Sequence, residues 1–255
     1  MSVALTAPRL SRHGFAHGFS LRTGGASEAP FESLNLGRTM GDDPTRVAEN
    51  LATFCEAVGC APDRLFEVSQ VHGRTVVDVK ETDAVADVRA IEADALVTAV
   101  EGAAVGVRTA DCLPLLLADP RTGAVAAVHA GWRGAAARVV EEAVERLVGV
   151  HGSRAEDLLA AIGPHIRLDA FEVSEDVAAR IAESAHGARV VEPREPRPHA
   201  DLAATVRAQL AHVGVRADRV EDVGGCTHAE PTRFFSHRRD DGRTGRHLSV
   251  IVARR

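Results

Sequence analysis

The chain has no Tyr, one Trp, two Met and four Cys among 255 residues, and Lys is scarce beside abundant Ala, Val and Arg. We read the Ala, Val and Arg excess as a high-GC coding bias rather than a functional signal. The four cysteines (Cys55, Cys60, Cys112 and Cys226) form no CxxC pair. That argues against a disulfide framework or a zinc ribbon and for free or metal-bound thiols in a cytoplasmic protein. No apolar run reaches membrane-spanning length. Met1 to Leu10 lacks the basic stretch and long apolar core of a signal peptide, so none is expected. A net charge of −6 and a pI near 6.1 leave no excess of positive charge. Nucleic acid and acidic membranes are therefore not expected partners.

What is present is enough apolar residue, 45%, for one large core. Residues 13–41 are rich in Gly, Ser and Asn and read as short strands and loops. "DDPTRVAENLATFCEAVG" (42–59) predicts a helix capped by Asp43, with Pro44 in its first turn and Gly59 as its stop. Further helices are expected over 134–148, over 174–185 with Ser174 as cap, and over 201–213. Strands are expected over 65–71, 75–79, "EADALVT", "GAAVGVRTADC", 113–119, 124–129, 158–162, 220–223 and 248–252. Residues 192–200 read as a Pro-rich surface loop. Strands and helices alternate, yet several strands look hairpin-linked. One compact α/β (mixed α+β) domain over 1–255, with a mixed sheet, follows.

Thr109 to Gly134 carries the chemistry. If Pro120 to Gly123 is a turn, His129 lies opposite Pro114. Cys112 then falls two residues beyond on the same face, roughly 7–8 Å away on the diagonal. Two such side chains can reach one metal ion, although buried Cys is also commonly inert. Pro114 cannot donate to a ladder, so a bulge or an edge is expected there. "HAGWRG" opens a helix with free N–H groups, and Arg133 beside them can clamp an anion or simply be solvated. "SQVHG" ends another strand with His72. Spacing does not decide whether His72 meets the hairpin; if it does, a His2Cys set with an open position results, the pattern of a catalytic zinc. Asp111 supplies a neighbouring carboxylate for proton transfer or for orienting a ligand. The Arg-rich loop 233–246 reads equally as a solvated loop or as an anion-binding rim held by Phe234 and Phe235.

The segments "HGFSLRTGGASEAPFESLNLG", "GDDP", "SQVHG", "ADALVT", "TADCLPLLLAD", "AAVHAGWRG", "AIGP", "FEV" and "FFSHRRDDGRTGR" follow one another as in a single family. The chain resembles the laccase-domain, or polyphenol-oxidase-like, purine nucleoside phosphorylases, whose bacterial members are also called peptidoglycan editing factors. The resemblance runs from about His13 to Ile251. It implies a β-sandwich-like core flanked by helices and a metal site on His72, Cys112 and His129. It also implies phosphorolysis of adenosine, inosine and methylthioadenosine, together with adenosine deamination. Two departures bear on substrate preference. His237 stands where relatives often carry Tyr, in a loop one residue longer, and the Cys-containing stretch after "GP" is missing.

Three functions follow for testing. The first is a zinc enzyme acting on purine nucleosides and phosphate, as a monomer or homodimer. Its catalytic residues would be Cys112, Asp111 and His129, with Arg22, Arg133 and Arg239 as candidate phosphate ligands and Asn35 and Gln70 as candidate sugar or base contacts. The second is a hydrolase that removes a wrong amino acid from a nucleotide-linked muramyl precursor of peptidoglycan. It would use zinc, or Cys112 as nucleophile with His129 as base. The third is a copper oxidase. The absence of any His-x-His pair, and Met only at positions 1 and 40, argue against a true multicopper or blue-copper centre, though bound copper fits the same donors.

Overall fold

In chain order the strands are β1 (Ala4–Leu5), β2 (His17–Ser20), β3 (Leu65–Phe66), β4 (Val76–Asp78), β5 (Ala95–Thr98), β6 (Ala104–Thr109), β7 (Leu113–Ala118), β8 (Val125–Ala130), β9 (Leu159–Ile162), β10 (Val191–Glu192), β11 (His199–Ala200), β12 (Val220–Asp222) and β13 (His247–Val252). The helices are α1 (Pro8–Arg12), α2 (Pro44–Val58), α3 (Val85–Arg89), α4 (Trp132–Ala136), α5 (Val139–His151), α6 (Glu175–Ser184) and α7 (Leu202–His212). The structure is a computed structural model and describes residues 2–254.

Two mixed sheets carry the fold. One runs β1-β2-β13-β6-β3 and the other β12-β9-β7-β8-β5-β4, while β10 and β11 form a separate small hairpin. Alternation along each strand sorts the side chains into layers. Leu116, Ala118, Val125 and Ala127 face Phe19, Val105, Val107 and Ile251 between the sheets. Leu113, Leu115, Leu117 and Val128 face away, onto Val140, Val144, Leu147, Val206 and Leu210 of α5 and α7. On the outer face of the first sheet, Phe54 and Val58 of α2 pack on Leu65, Leu248 and Val250. The result is the expected β-sandwich-like core with helices on both sides.

The β7–β8 hairpin has the predicted register. Pro114 pairs with His129, and the Asp119 N–H donates to Ala124 O at 2.8 Å. Gly123 takes φ 74° to close the turn, where a Cβ would be strained. The bulge expected at Pro114 is not there. β7 is a central strand, paired with β8 and β9, and its ladder with β9 starts only at Leu115↔Ile162. The missing Pro114 N–H thus falls just past the end of that ladder, and its carbonyl accepts from Gly163.

Other elements differ from expectation for local reasons. The 134–148 helix is two helices, because Arg138 sits in the left-handed region at φ 64° and breaks the hydrogen-bond ladder between α4 and α5. Ser174 occupies the cap position of α6, but its hydroxyl bonds Asp176 rather than a backbone N–H. Asp43 and Asp201 do cap α2 and α7, accepting from Thr45 N and Ala204 N. The 65–71 segment is strand only at Leu65–Phe66, with one bridge at Ser69. The Pro-rich stretch is the loop of the β10–β11 hairpin, whose strand ends reach into it. The short helices α1 and α3, five residues each, lie below the length at which periodicity can announce them.

Two buried histidines join loops to this frame as hydrogen-bond acceptors. His17 Nε2 accepts from Ala7 N at 2.7 Å and His247 Nε2 from Phe235 N at 2.8 Å. Burial lowers both basicities, that of His247 to about 3, with Arg22 and Arg239 adding repulsion there and Glu221 opposing the shift at His17. Protonation would abolish both acceptors. Since the folded-state values lie below the ordinary 6.5, the unfolded chain binds more protons, and stability falls as pH drops below about 6.5. We expect the melting temperature to be lower at pH 5 than at pH 7.5. A His247→Gln variant, followed by circular dichroism, should show a smaller drop.

Candidate metal centre and cavity

β6 belongs to one sheet and β7 to the other, so the chain crosses between them through Ala110, Asp111 and Cys112. Asp111 makes the crossing at φ 87°. Its carboxylate accepts from the Thr227 hydroxyl at 2.6 Å and from Arg238 N at 2.7 Å. These bonds hold the crossing and tie the Arg-rich loop to it. Cys112 therefore stands just outside the strand predicted for it, at the mouth between the sheets. His129 comes to the same mouth from β8, and His72 from the loop after β3.

The ligand atoms of His72, Cys112 and His129 all lie within 4.8 Å of one another. Cys112 Sγ is 3.9 Å from His72 Nε2, and the two imidazoles meet edge to face with centroids 4.8 Å apart. The loop is thus brought to the hairpin, a point that spacing left open.

What brings it there is Asp94, which precedes β5 and is fully buried. Its carboxylate accepts from His72 N at 2.9 Å, Gly73 N at 2.5 Å, Val71 N at 3.3 Å and His129 Nδ1 at 2.7 Å. Burial alone would raise its pKa; these donors more than offset that and leave it below the usual carboxylate range. With Nδ1–H held by Asp94, His129 turns Nε2 toward Cys112 and His72. The sequence reading missed Asp94. Its signal was an acidic residue set in the otherwise apolar "ADALVT".

Burial opposes charge at both Cys112 and His129, yet each stabilises the other as an ion pair. The Cys112 thiol is drawn down to about 6, chiefly by His129 and then by His72. The His129 imidazole is held up at about 9 by Cys112 and Asp94. A thiolate, two imidazoles and an orienting carboxylate suit zinc or copper. Gly131 leaves room for them, since a Cβ there would stand 2.9 Å from Cys112 Sγ and 3.0 Å from His72 Cδ2.

The triad lies in the wall of a cavity of about 640 Å³. Arg38, Arg89, Arg108, Arg238 and Arg246 line it, as do Gln70, Asp111, His237, Phe171, Met40 and Ile166. Fully buried against it, Glu67 pairs with Arg38 at 2.6 Å and with Arg108. Gln70 is locked by a two-way bond with the Arg108 backbone, 2.8 and 2.7 Å.

Other sequence candidates stand elsewhere. Arg22 donates to Glu32 O and Pro231 O and stacks on Phe235. Asn35 is buried and bonds Asp42, Gly37 and Arg246 N. The Arg239 guanidinium binds the carbonyls of Thr227, His228 and Phe234 and pairs with Asp240. Arg133 lies over Trp132 and borders a different groove, beside Arg74, Arg138 and Arg180. Arg238 and Arg246 belong to the Arg-rich loop read as a possible anion-binding rim, whereas Arg38, Arg89 and Arg108 went unseen because they come from three separate stretches of chain.

The family model described as multi-copper polyphenol oxidoreductase laccase matches residues 16–254. The chain belongs to that family. Within it, the chain is 44% identical to a protein named purine nucleoside phosphorylase from Deinococcus radiodurans, over 97% of this chain and 91% of that one. A protein of the same name from Pseudomonas aeruginosa is 43% identical, over 90% of each chain. Among solved structures of the family, the hypothetical protein YfiH of Bacillus licheniformis superposes with a TM-score of 0.93 at 28% identity, covering 100% of this chain and 97% of that one. YlmD of Geobacillus stearothermophilus gives 0.91 at 29%, covering all of both.

Losing the partner that orients a metal-binding His typically weakens metal affinity about 10–100-fold. We expect that loss in Asp94→Asn, measured by competition with a chromophoric chelator. Gly131→Ala should weaken affinity as well, by pressing on Cys112, with the circular dichroism spectrum unchanged.

Proposed function

We propose that this protein is a zinc-dependent purine nucleoside phosphorylase that cleaves adenosine, inosine and methylthioadenosine with phosphate and also deaminates adenosine. The observation that carries the reading is the His2Cys cluster opening onto a cavity with five arginines, a combination of metal donors and anion ligands in one space. The names of the relatives support the phosphorylase part of this reading.

Phosphorolysis needs an oxyanion held against the anomeric carbon and a purine held so that it can leave. Arg89 is the guanidinium group most open to a phosphate; Arg246 already donates from Nη1 to Thr244 O and Gly245 O. Arg38 and Arg108 are tied to Glu67, and Arg238 lies over Phe171 with a bond to Glu172 O. Met40, partly exposed, with the edges of Phe171 and Ile166 in the same wall, gives the base an apolar contact. Zinc on His72, Cys112 and His129 would supply Lewis acidity and lower the pKa of a water. Asp94 keeps His129 oriented throughout. In this reading Asp111 moves a proton to or from the purine, which requires it to give up its bond to Thr227 or to Arg238 N. Arg22, Asn35 and Arg239 support the loops around the cavity in this reading, and Arg133 stands outside it.

Chromatography of adenosine incubated with the metal-analysed protein tests the proposal. Adenine released only with phosphate is expected, along with inosine formed without it. Cys112→Ala should lose metal and both activities, and full turnover by metal-free Cys112→Ala overturns the proposal. Removing one charged hydrogen bond to phosphate costs about 1.5–3 kcal/mol. Arg89→Ala should therefore raise the KM for phosphate roughly tenfold or more while the KM for adenosine stays put.

A further inference from the structure

Among the described residues a second cluster of metal-ligating side chains lies apart from the cavity, made by Glu141, His186 and His212. Glu141 is in the first turn of α5, His186 follows the end of α6, and His212 is the last residue of α7. Their ligand atoms also lie within 4.8 Å of one another. Glu141 is buried, and its Oε1 accepts from His186 Nε2 at 2.6 Å. The His186 and His212 rings stack nearly parallel, 7° apart, with centroids at 3.6 Å. The fully buried Gln209, one turn before His212, donates to Ala135 O at 2.7 Å and to Ser184 O at 3.3 Å. It thereby fixes α7 against α4 and α6.

We propose that Glu141, His186 and His212 form a second binding site for a divalent transition-metal cation, zinc above all, that staples three helix ends together. A carboxylate with two imidazoles is a recurrent zinc donor set. The cation takes the place of the proton shared by His186 Nε2 and Glu141 Oε1, and that proton leaves to solvent. Two imidazoles stacked face to face cannot both aim their in-plane lone pairs at one ion, so one ring must swing out of the stack to form bonds of about 2.0–2.1 Å. His212 is the one to move, since among the described residues its ring is held by stacking and by no hydrogen bond to another side chain. The backbone of His186 is left-handed at φ 50°, which aims its ring across the gap between α6 and α5.

Cobalt serves as the probe, because a thiolate ligand gives a charge-transfer band that this second site lacks. The chelator-treated full chain should take up two cobalt ions. One carries the thiolate band and is lost in Cys112→Ser. The other shows ligand-field absorption alone, survives in Cys112→Ser, and disappears in His212→Ala and in His186→Asn, where Asn tolerates the left-handed backbone. A wild-type protein that binds cobalt only with the thiolate band, with no second ion, overturns the proposal. So does a second ion that both histidine variants retain. Failure of the cavity site would show separately, as loss of the thiolate band.

Discussion

The carboxylate of Asp94 ties the loop after β3 to His129 on β8 and fixes how the two meet. It takes the backbone N–H groups of residues 71 to 73, which would be unpaired donors in the loop after β3, and the Nδ1–H of His129 on β8. A buried anion costs a great deal unless it is fully bonded. Here the cost is met by four donors, and meeting it fixes where His72 and His129 stand. The backbone of His72 is itself left-handed, at φ 61°. An arrangement of that kind persists only where its surroundings dictate it. The carboxylate is thus both the anchor of a loop and the orienting partner of a candidate metal ligand.

The two-sheet architecture supplies the other half of the centre. A chain that leaves β6 in one sheet and enters β7 in the other must turn at the open end of the sandwich, and the turn is Asp111-Cys112. The thiol is presented at the mouth of the sandwich because the backbone crosses there, not because a strand face points that way. Gly131, opposite, keeps the mouth open. The centre and the cavity are consequences of how two sheets close on each other, and the loop 227–238, tied down by Asp111, closes the same end.

Charge is distributed to suit this. The chain is acidic as a whole, yet five arginines surround one cavity, with Glu67 buried between two of them. Glu67 fixes Arg38 and Arg108 in place, so the local field is set by geometry more than by number. The arginine-rich run at 233–246 contributes only Arg238 and Arg246 to the cavity. The Arg239 guanidinium spends its donors on loop carbonyls and on Asp240, and so holds the loop's own shape.

Much was legible in the sequence. Strong local signals gave the cap and stop of α2, the β7–β8 turn and the Pro114–His129 register, because each depends on a few neighbouring residues and a period of two or 3.6. The motifs "SQVHG", "ADC" and "HAGWRG" named the three candidate ligands. Other features depend on contacts far apart in the chain. Asp94 meets its partners only once β5 lies beside β8, and the break at Arg138 leaves no periodic trace. Arg22, Asn35, Arg133 and Arg239 were singled out from residue type and motif position, but where each guanidinium or amide points is set by tertiary packing. The sequence by itself determined the chemistry available: a thiol, imidazoles, carboxylates and many guanidinium groups on a chain able to bury two sheets. Only the tertiary structure decided which of these share one space. Side-chain type is a local property, whereas convergence depends on sheet order and on loops whose buried polar groups must find partners.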